Sequence, residues 1–210
     1  MTSAANARKK LVSVGKRLAR ENKAHLDYMK SWRDQLERPD FVWHYLLQSF
    51  SSMGGVRGSH GLIDNKSNYR KVRYELLARL WPEARALQIE LTCVAAKIRW
   101  PATKARYILG CFERVEELGG LKTAKRLLLA QEGRAGKIRF LQSFPGIGPK
   151  YARNIMMDVY HEDFRDSIAI DTRNTVHFGC LGIIVWLLRR TGEVLSLGSG
   201  SCRVERLGIR

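Results

Sequence analysis

The chain has 210 residues, of which 37 are Lys or Arg and 20 are Asp or Glu, so its formal net charge at pH 7 is +17. Apolar residues make up 45% of the chain, which is enough for a hydrophobic core and argues against wholesale disorder. The charge predicts a polyanionic partner, with nucleic acid as the first candidate and an anionic membrane surface as the second.

Cysteine usage and hydropathy narrow the class of protein further. The four cysteines form no CxxC pair, so the sequence has no ligand pattern for zinc or an iron–sulfur cluster, and we expect reduced thiols in an intracellular protein. The longest apolar run, residues 178–188, is too short to span a bilayer. Residues 1–20 carry six cations and no acid, which fits a basic solvated helix or, less commonly, an organellar transit peptide.

The predicted elements in the first third of the chain are helices with short breaks. Residues 5–36 have spaced apolar positions among many charges, which predicts one or two amphipathic helices. Pro39 ends this stretch, and Asp40 suits the N-cap of a helix over residues 41–50. Residues 51–61 are rich in Gly and Ser and predict a loop.

Proline and glycine set the predicted boundaries in the middle of the chain. Pro82 and Pro101 each suit the first turn of a helix. Gly119 and Gly120 break the helix after Pro101, and a new helix is predicted over residues 121–130. Because no segment alternates apolar and polar residues with a period of two, the sequence predicts an all-α fold with nine or ten helices.

The most informative stretch is residues 138–174. An apolar-periodic helix enters the sequence Phe-Pro-Gly-Ile-Gly-Pro-Lys at residues 144–150, and a second such helix leaves it. The two glycines permit a tight turn with unshielded backbone N–H groups, and the N-terminus of the following helix attracts an anion. Such a site suits a DNA phosphate held without regard to sequence, although an ordinary turn between two packed helices has the same glycines.

Lys150 and Asp171 are the residues with catalytic chemistry. The Lys150 side chain either contacts a phosphate or attacks C1′ of a damaged nucleotide, expelling the base and forming a Schiff base. The second role requires an amine that is neutral part of the time, which burial or nearby positive charge promotes. Asp171 follows an apolar Ile-Ala-Ile run, and its roles are a helix N-cap, stabilisation of positive charge on the sugar, or deprotonation of the lysine.

Together, FPGIGPKYARNI at residues 144–155 and SIAIDTRN at residues 167–174 resemble the helix-hairpin-helix, Gly/Pro-rich loop and aspartate signature of the endonuclease III superfamily of DNA glycosylases. The resemblance implies two helical subdomains with a DNA cleft between them, and excision of a damaged base in base-excision repair. A lysine at the end of the hairpin further implies cleavage of the abasic site. By this resemblance Lys150 is the Schiff-base nucleophile and Asp171 the essential carboxylate. The implied DNA contacts are Gly146, Ile147, Gly148 and Lys150.

The resemblance is strong over residues 138–174, and the sequence back to about residue 40 is compatible with the same family. It divides the chain into a basic N-terminal helical segment (1–38), a glycosylase core (39–176) and an atypical C-terminal segment (177–210). The cysteine-rich cluster loop of many family members has no counterpart here, so no iron–sulfur cluster, metal or other cofactor is expected. After Asn174 the sequence departs from the helical ending of the family, through divergence, truncation or a change of reading frame.

Base excision requires a wedge to fill the gap in the stack and a pocket to read the base. Gln48, Phe50 and His60 have suitable chemistry, and each fits a core or loop position equally well. The sequence does not distinguish between oxidised pyrimidines and oxidised purines as the substrate. The expected partner is double-stranded DNA with a damaged base, bound by a monomer with no membrane association, inside the cell in the cytoplasm, nucleoid or nucleus. The alternatives are a monofunctional glycosylase and a non-catalytic helix-hairpin-helix DNA-binding protein.

Overall fold

The computed structural model describes residues 2–165, and over this range the chain is helical, with no strand. This confirms the all-α prediction for the described residues. Thr2–Lys10 belong to one compact unit, and the chain from Leu11 to Arg165 belongs to a larger one. Two predicted features, Asp171 and the C-terminal segment 177–210, lie outside the described residues.

Eleven α-helices follow one another in this range, more than the nine or ten predicted for the whole chain. They are α1 (Thr2–Glu21), α2 (Lys23–Ser31), α3 (Phe41–Ser52), α4 (Val56–Leu62), α5 (Lys66–Lys71), α6 (Tyr74–Leu77), α7 (Pro82–Ala95), α8 (Pro101–Glu117), α9 (Leu121–Leu129), α10 (Gly133–Gln142) and α11 (Pro149–Asp158). Short 3-10 helices cover Trp32–Glu37 and Glu162–Phe164. The helices α1 and α2 lie in the range, residues 5–36, over which one or two helices were predicted.

The helix α3 lies at the centre of the core of the larger unit and packs against α4, α8, α9 and α11. Nine of its twelve residues are buried: Phe41, Val42, Trp43, Tyr45, Leu46, Leu47, Ser49, Phe50 and Ser51. The indole Nε1 of Trp43 donates a hydrogen bond to the carbonyl oxygen of Val72 at 2.8 Å, so burial of this side chain leaves no donor unsatisfied. This apolar helix positions the residues of the candidate site on its neighbours.

Asp40 occupies the N-cap position of α3 as predicted, but its side chain does not cap the helix. Its carboxylate instead accepts hydrogen bonds from Arg38, at 3.0 Å and 3.1 Å, and from the hydroxyl of Tyr69 at 3.0 Å. The ion pair with Arg38 lowers the pKa of Asp40 despite the opposing effect of burial, which is the largest single influence. Asp40 therefore ties the start of α3 to α5, rather than satisfying the first turn of its own helix.

The prediction of a loop over residues 51–61 is wrong, because α3 and α4 occupy most of this range. Two of its glycines lie where backbones approach closely. A Cβ atom on Gly58 would overlap the carbonyl oxygen of Ser51, and one on Gly61 would overlap that of Ala96. These glycines therefore allow helix packing at close range, and do not mark a loop.

The predicted boundaries at proline and glycine are confirmed. Pro82 and Pro101 are the first residues of α7 and α8, where their missing N–H group costs no helical hydrogen bond. Gly119 and Gly120 have φ values of +86° and +92° and separate α8 from α9. The helices α7 and α8 pack against each other, and Cys111 of α8 contacts the turn that carries the predicted DNA contacts.

Candidate nucleic-acid interface

The helices α10 and α11 pack against each other and are joined by the turn Ser143–Gly148. Phe144 and Ile147 are buried, whereas Pro145 and Gly146 are exposed at the tip. The N–H of Ile147 donates to the carbonyl oxygen of Phe144 at 3.1 Å, and Gly146 has a φ of +80°. Two apolar side chains thus anchor the turn in the core while its glycine tip faces solvent.

The turn lies on side chains from α8 and α3. The thiol of Cys111 donates to the carbonyl oxygen of Pro145 at 3.4 Å. A Cβ atom on Gly146 would overlap the ring of Tyr107 and lie 3.0 Å from Phe50, so only glycine fits. Phe50, a predicted wedge candidate, is completely buried at this point. Its position supports the turn and offers no exposed surface to a DNA base.

Lys150 lies in the first turn of α11. The helix begins with Gly148 as N-cap, which has no side chain to cover the helix end, and continues with Pro149. The Lys150 side chain is half-buried, and its Nζ lies 5.5 Å from the ring centroid of Tyr151, within cation–π range. The amine therefore belongs to the helix end at which the dipole attracts anions.

A second lysine lies beneath this region without an acidic partner among the described residues. Lys104 of α8 is only 5% exposed, and its Nζ donates to the sulfur of Met53 at 2.7 Å. The same Nζ lies 5.9 Å and 5.7 Å from the ring centroids of Phe50 and Tyr107. Burial lowers the pKa of Lys104, since the charged form loses its hydration. The Lys104 amine thus lies behind the turn, whereas the Lys150 amine lies at the start of α11.

At the opposite end of α11, Asp158 is partly buried and accepts a hydrogen bond from Nε2 of Gln48 at 3.2 Å. Burial raises the pKa of Asp158 to about 6. Burial, together with the nearby charge of Asp158, raises the pKa of the Tyr45 phenol to about 12. Asp158 forms no ion pair with any residue in the range 2–165. A partly buried carboxylate with a raised pKa is a candidate for a binding or catalytic position.

Asp158 and Gln48 line a cleft of about 590 Å³, which we call the Asp158 cleft. Its lining residues are Tyr28, Trp32, Gln35, Tyr45, Gln48, Asp64 and Asp158. The rings of Tyr28 and Trp32 meet edge to face with centroids 5.7 Å apart, and Tyr28 is 62% exposed. His60, the remaining sequence candidate, is exposed, and its Nδ1 lies 2.6 Å from Oδ2 of Asp64 at the rim.

A second cleft, of about 510 Å³, lies between the start of α4 and the segment before α8. Its lining residues are Gly54, Gly55, Val56, Arg57, Gly58, Lys97 and Arg99. We call it the basic cleft, because its described lining residues include three cations and no acid. Beside it the Arg99 guanidinium lies 4.2 Å from the ring centroid of Trp100, which is 56% exposed and has a φ of +56°.

The structure therefore brings together only part of the predicted site. Gln48 lines the Asp158 cleft and His60 reaches its rim, whereas Phe50 supports the turn and Asp171 lies outside the described residues. Sequence reasoning missed Asp158, although it is the only acidic residue of α11. It also missed Tyr28 of α2 and Trp32 of the following 3-10 helix, because residues 5–36 were interpreted only as one or two amphipathic helices.

Comparisons with protein-family models, curated proteins and solved structures found no match to this chain. Between residues 2 and 165, no helix has both the length and the apolar character to cross a bilayer. In the same range, no three His, Cys, Asp or Glu side chains group as ligands of a metal ion.

Proposed function

We propose that this protein is a DNA glycosylase of base-excision repair that also cleaves the abasic site, with Lys150 as the nucleophile. One observation carries the proposal: the Phe-Pro-Gly-Ile-Gly-Pro-Lys turn is anchored in the core, exposes its glycine tip, and places Lys150 in the first turn of α11. This arrangement fits the helix-hairpin-helix motif that the sequence resembles, in which a nonspecific phosphate contact holds the reactive amine beside the sugar.

The partner in this proposal is double-stranded DNA, bound by a monomer. The net charge of +17 supports a polyanion, and the basic cleft adds three cations that suit backbone phosphates. The exposed turn tip and the positive end of α11 suit a further phosphate. A DNA cleft between two helical subdomains is part of the same proposal.

The proposed reaction begins when the neutral Lys150 amine attacks C1′ of the extruded nucleotide. A bond forms between Nζ and C1′, and the glycosidic bond breaks, so the base leaves with that electron pair and takes up a proton. Loss of the amine proton and opening of the sugar ring give a Schiff base. Removal of a C2′ proton then expels the 3′ phosphate and cuts the strand. In the proposal, Asp171 stabilises the positive charge that develops on the sugar.

Borohydride trapping tests this proposal. A panel of duplexes, each with one oxidised, deaminated or alkylated base or a natural abasic site, is incubated with the protein and borohydride, which reduces a Schiff base to a stable adduct. We expect an adduct with at least one damaged-base duplex. Lys150→Gln should abolish the adduct and retain most DNA binding, whereas the matched control Lys122→Gln, at an exposed position on α9, should trap normally.

The outcomes separate the alternatives. An undiminished adduct with Lys150→Gln would overturn the assignment of the nucleophile. Base release without an adduct in the unsubstituted protein would indicate a monofunctional glycosylase. Salt-dependent binding to undamaged duplex, with neither base release nor an adduct on any member of the panel, would indicate a non-catalytic DNA-binding protein.

A further inference from the structure

Asp158 has more capacity to accept hydrogen bonds than the described residues use. An ionised carboxylate has about four acceptor positions, and Asp158 accepts one side-chain hydrogen bond, from Gln48. Among the described residues, the titratable groups that line the cleft with it are Tyr28, Tyr45 and Asp64, none of which supplies positive charge. A carboxylate held in this way destabilises the fold unless a ligand satisfies it. A ligand with N–H donors would do so.

The hydrogen bond between the two side chains fixes the orientation of the Gln48 amide. If the amide were reversed, its Oε1 would face the Asp158 carboxylate and two acceptors would oppose each other. With Nε2 donating to Asp158, Oε1 is the atom of Gln48 that remains to accept a hydrogen bond. Both polar side chains at this point of the cleft therefore favour a ligand that donates.

The Watson–Crick edges of the bases differ in their patterns of donors. Guanine has two adjacent donors, N1–H and N2–H, which match the two oxygens of a carboxylate. Adenine combines one donor with one acceptor, cytosine has one donor and two adjacent acceptors, and thymine places a single donor between two acceptors. An ionised carboxylate therefore complements only the guanine-type edge.

Aromatic rings at the cleft complete the requirements for an extruded base. Enzymes that extrude a nucleotide read its edge by hydrogen bonds and hold its faces against aromatic or apolar side chains. Tyr28 and Trp32 line the Asp158 cleft, and the exposure of Tyr28 leaves its ring accessible. The cleft volume of about 590 Å³ lies in the range of small-molecule pockets.

The spacing of residues along α11 is compatible with one nucleotide reaching both Asp158 and the proposed nucleophile. Lys150 and Asp158 are eight positions apart on α11, which is about 12 Å along the helix axis at 1.5 Å per residue. A nucleotide together with the lysine side chain can bridge such a distance. One extruded nucleotide could thus present its sugar to the amine and its base to the carboxylate.

We propose that the Asp158 cleft receives the extruded base, and that Asp158 and Gln48 select a guanine-type lesion, such as guanine oxidised at C8, by accepting hydrogen bonds from its donor edge. This proposal rests on the proposed glycosylase function and specifies its substrate class. Oxidation at C8 leaves the N1–H and N2–H donors unchanged, so the edge that Asp158 reads is present in the lesion. Oxidised pyrimidines lack this pair of donors.

Equilibrium binding tests the proposal without turnover. In protein with Lys150→Gln, fluorescence anisotropy gives the Kd for three duplexes, which contain 8-oxoguanine, an oxidised cytosine, or tetrahydrofuran as an abasic analogue without a base. We expect the 8-oxoguanine duplex to bind at least tenfold more tightly than the other two. Adding Asp158→Asn should reduce this preference by about tenfold or more, since a charge-assisted hydrogen bond to the base is lost, and leave the Kd for the tetrahydrofuran duplex, which has no base, unchanged.

Asp34→Asn is the matched control, because Asp34 is an exposed carboxylate of the 3-10 helix Trp32–Glu37 and does not line the cleft. It should alter the preference by less than about twofold, as expected for a screened surface charge. Two results would overturn the proposal: an unchanged preference in Asp158→Asn, or equal weakening of the 8-oxoguanine and tetrahydrofuran duplexes. A preference for the oxidised cytosine would overturn the substrate class. Failure of the proposed glycosylase function can be distinguished from failure of this substrate proposal. In the first case the unsubstituted protein would form no borohydride adduct, even with a natural abasic site.

Discussion

Replacing Asp158 with asparagine should make the protein more stable at neutral pH. Burial raises the pKa of Asp158 from 3.8 to about 6, so between these values the folded state binds more protons than the unfolded state. The free energy of unfolding therefore falls as the pH rises through this window. Asparagine has nearly the same volume and carries no charge, so the variant does not lose this stability.

The pKa difference sets the magnitude. A shift of about 2 units corresponds to at most about 3 kcal/mol, because each unit is worth about 1.36 kcal/mol. This full difference applies above about pH 6, where the carboxyl group is ionised in both states. Below about pH 4 it is protonated in both states, and the stability difference should vanish.

Urea unfolding followed by far-UV circular dichroism, at several values between about pH 4 and pH 8, measures this dependence. The midpoint difference between Asp158→Asn and the unsubstituted protein should grow across the series. Asp64→Asn should show no comparable growth, because its side chain is exposed. A difference that stays constant with pH, or an asparagine variant that is less stable at neutral pH, would refute the reasoning.

Three further predictions concern packing, buried charge and DNA binding. Gly61→Ala should lower the free energy of unfolding by about 1–3 kcal/mol, because the added Cβ overlaps the backbone carbonyl oxygen of Ala96. An unchanged urea midpoint would contradict this packing. Lys104→Met should raise the urea midpoint at pH 7, because burial lowers the pKa of this lysine below 10.5 and its charged form therefore destabilises the fold. The gain should disappear as the pH approaches 10.5, where the amine becomes neutral in both states. A gain that persists at high pH would exclude a charge effect. Lys97→Gln combined with Arg99→Gln should reduce the slope of log Kd against log salt concentration for duplex DNA by about 2, and an unchanged slope would remove the basic cleft from the proposed interface.

The sequence was a good guide to those parts of the fold that depend on local chemistry. Pro82 and Pro101 begin helices because a missing N–H is harmless in the first turn. The helices on both sides of residues 144–150 formed where the apolar periodicity predicted them. The glycines of residues 51–61 misled the prediction, because Gly58 and Gly61 serve contacts with Ser51 and Ala96, and tertiary contacts leave no mark on local composition.

The candidate site depended more on tertiary packing. The residue type of Phe50 suited a wedge, but its position on α3 places its side chain in the core. Asp158 gave no signal beyond being a carboxylate at the end of α11, since its significance comes from Gln48 on another helix. Tyr28 and Trp32 reach the same cleft from a segment that the charge pattern separated from the core.

Gln48 and Phe50 are only two residues apart on α3, yet one lines the Asp158 cleft and the other lies under the tip of the turn. Successive residues of an α-helix differ by about 100° in direction, so this short segment faces both regions at once. A single inserted residue between them would rotate one side chain away from its region while the other kept its place. The proposed base pocket and the proposed phosphate contact therefore depend on the same short segment of α3, and an insertion or deletion between Gln48 and Phe50 would misalign one with the other.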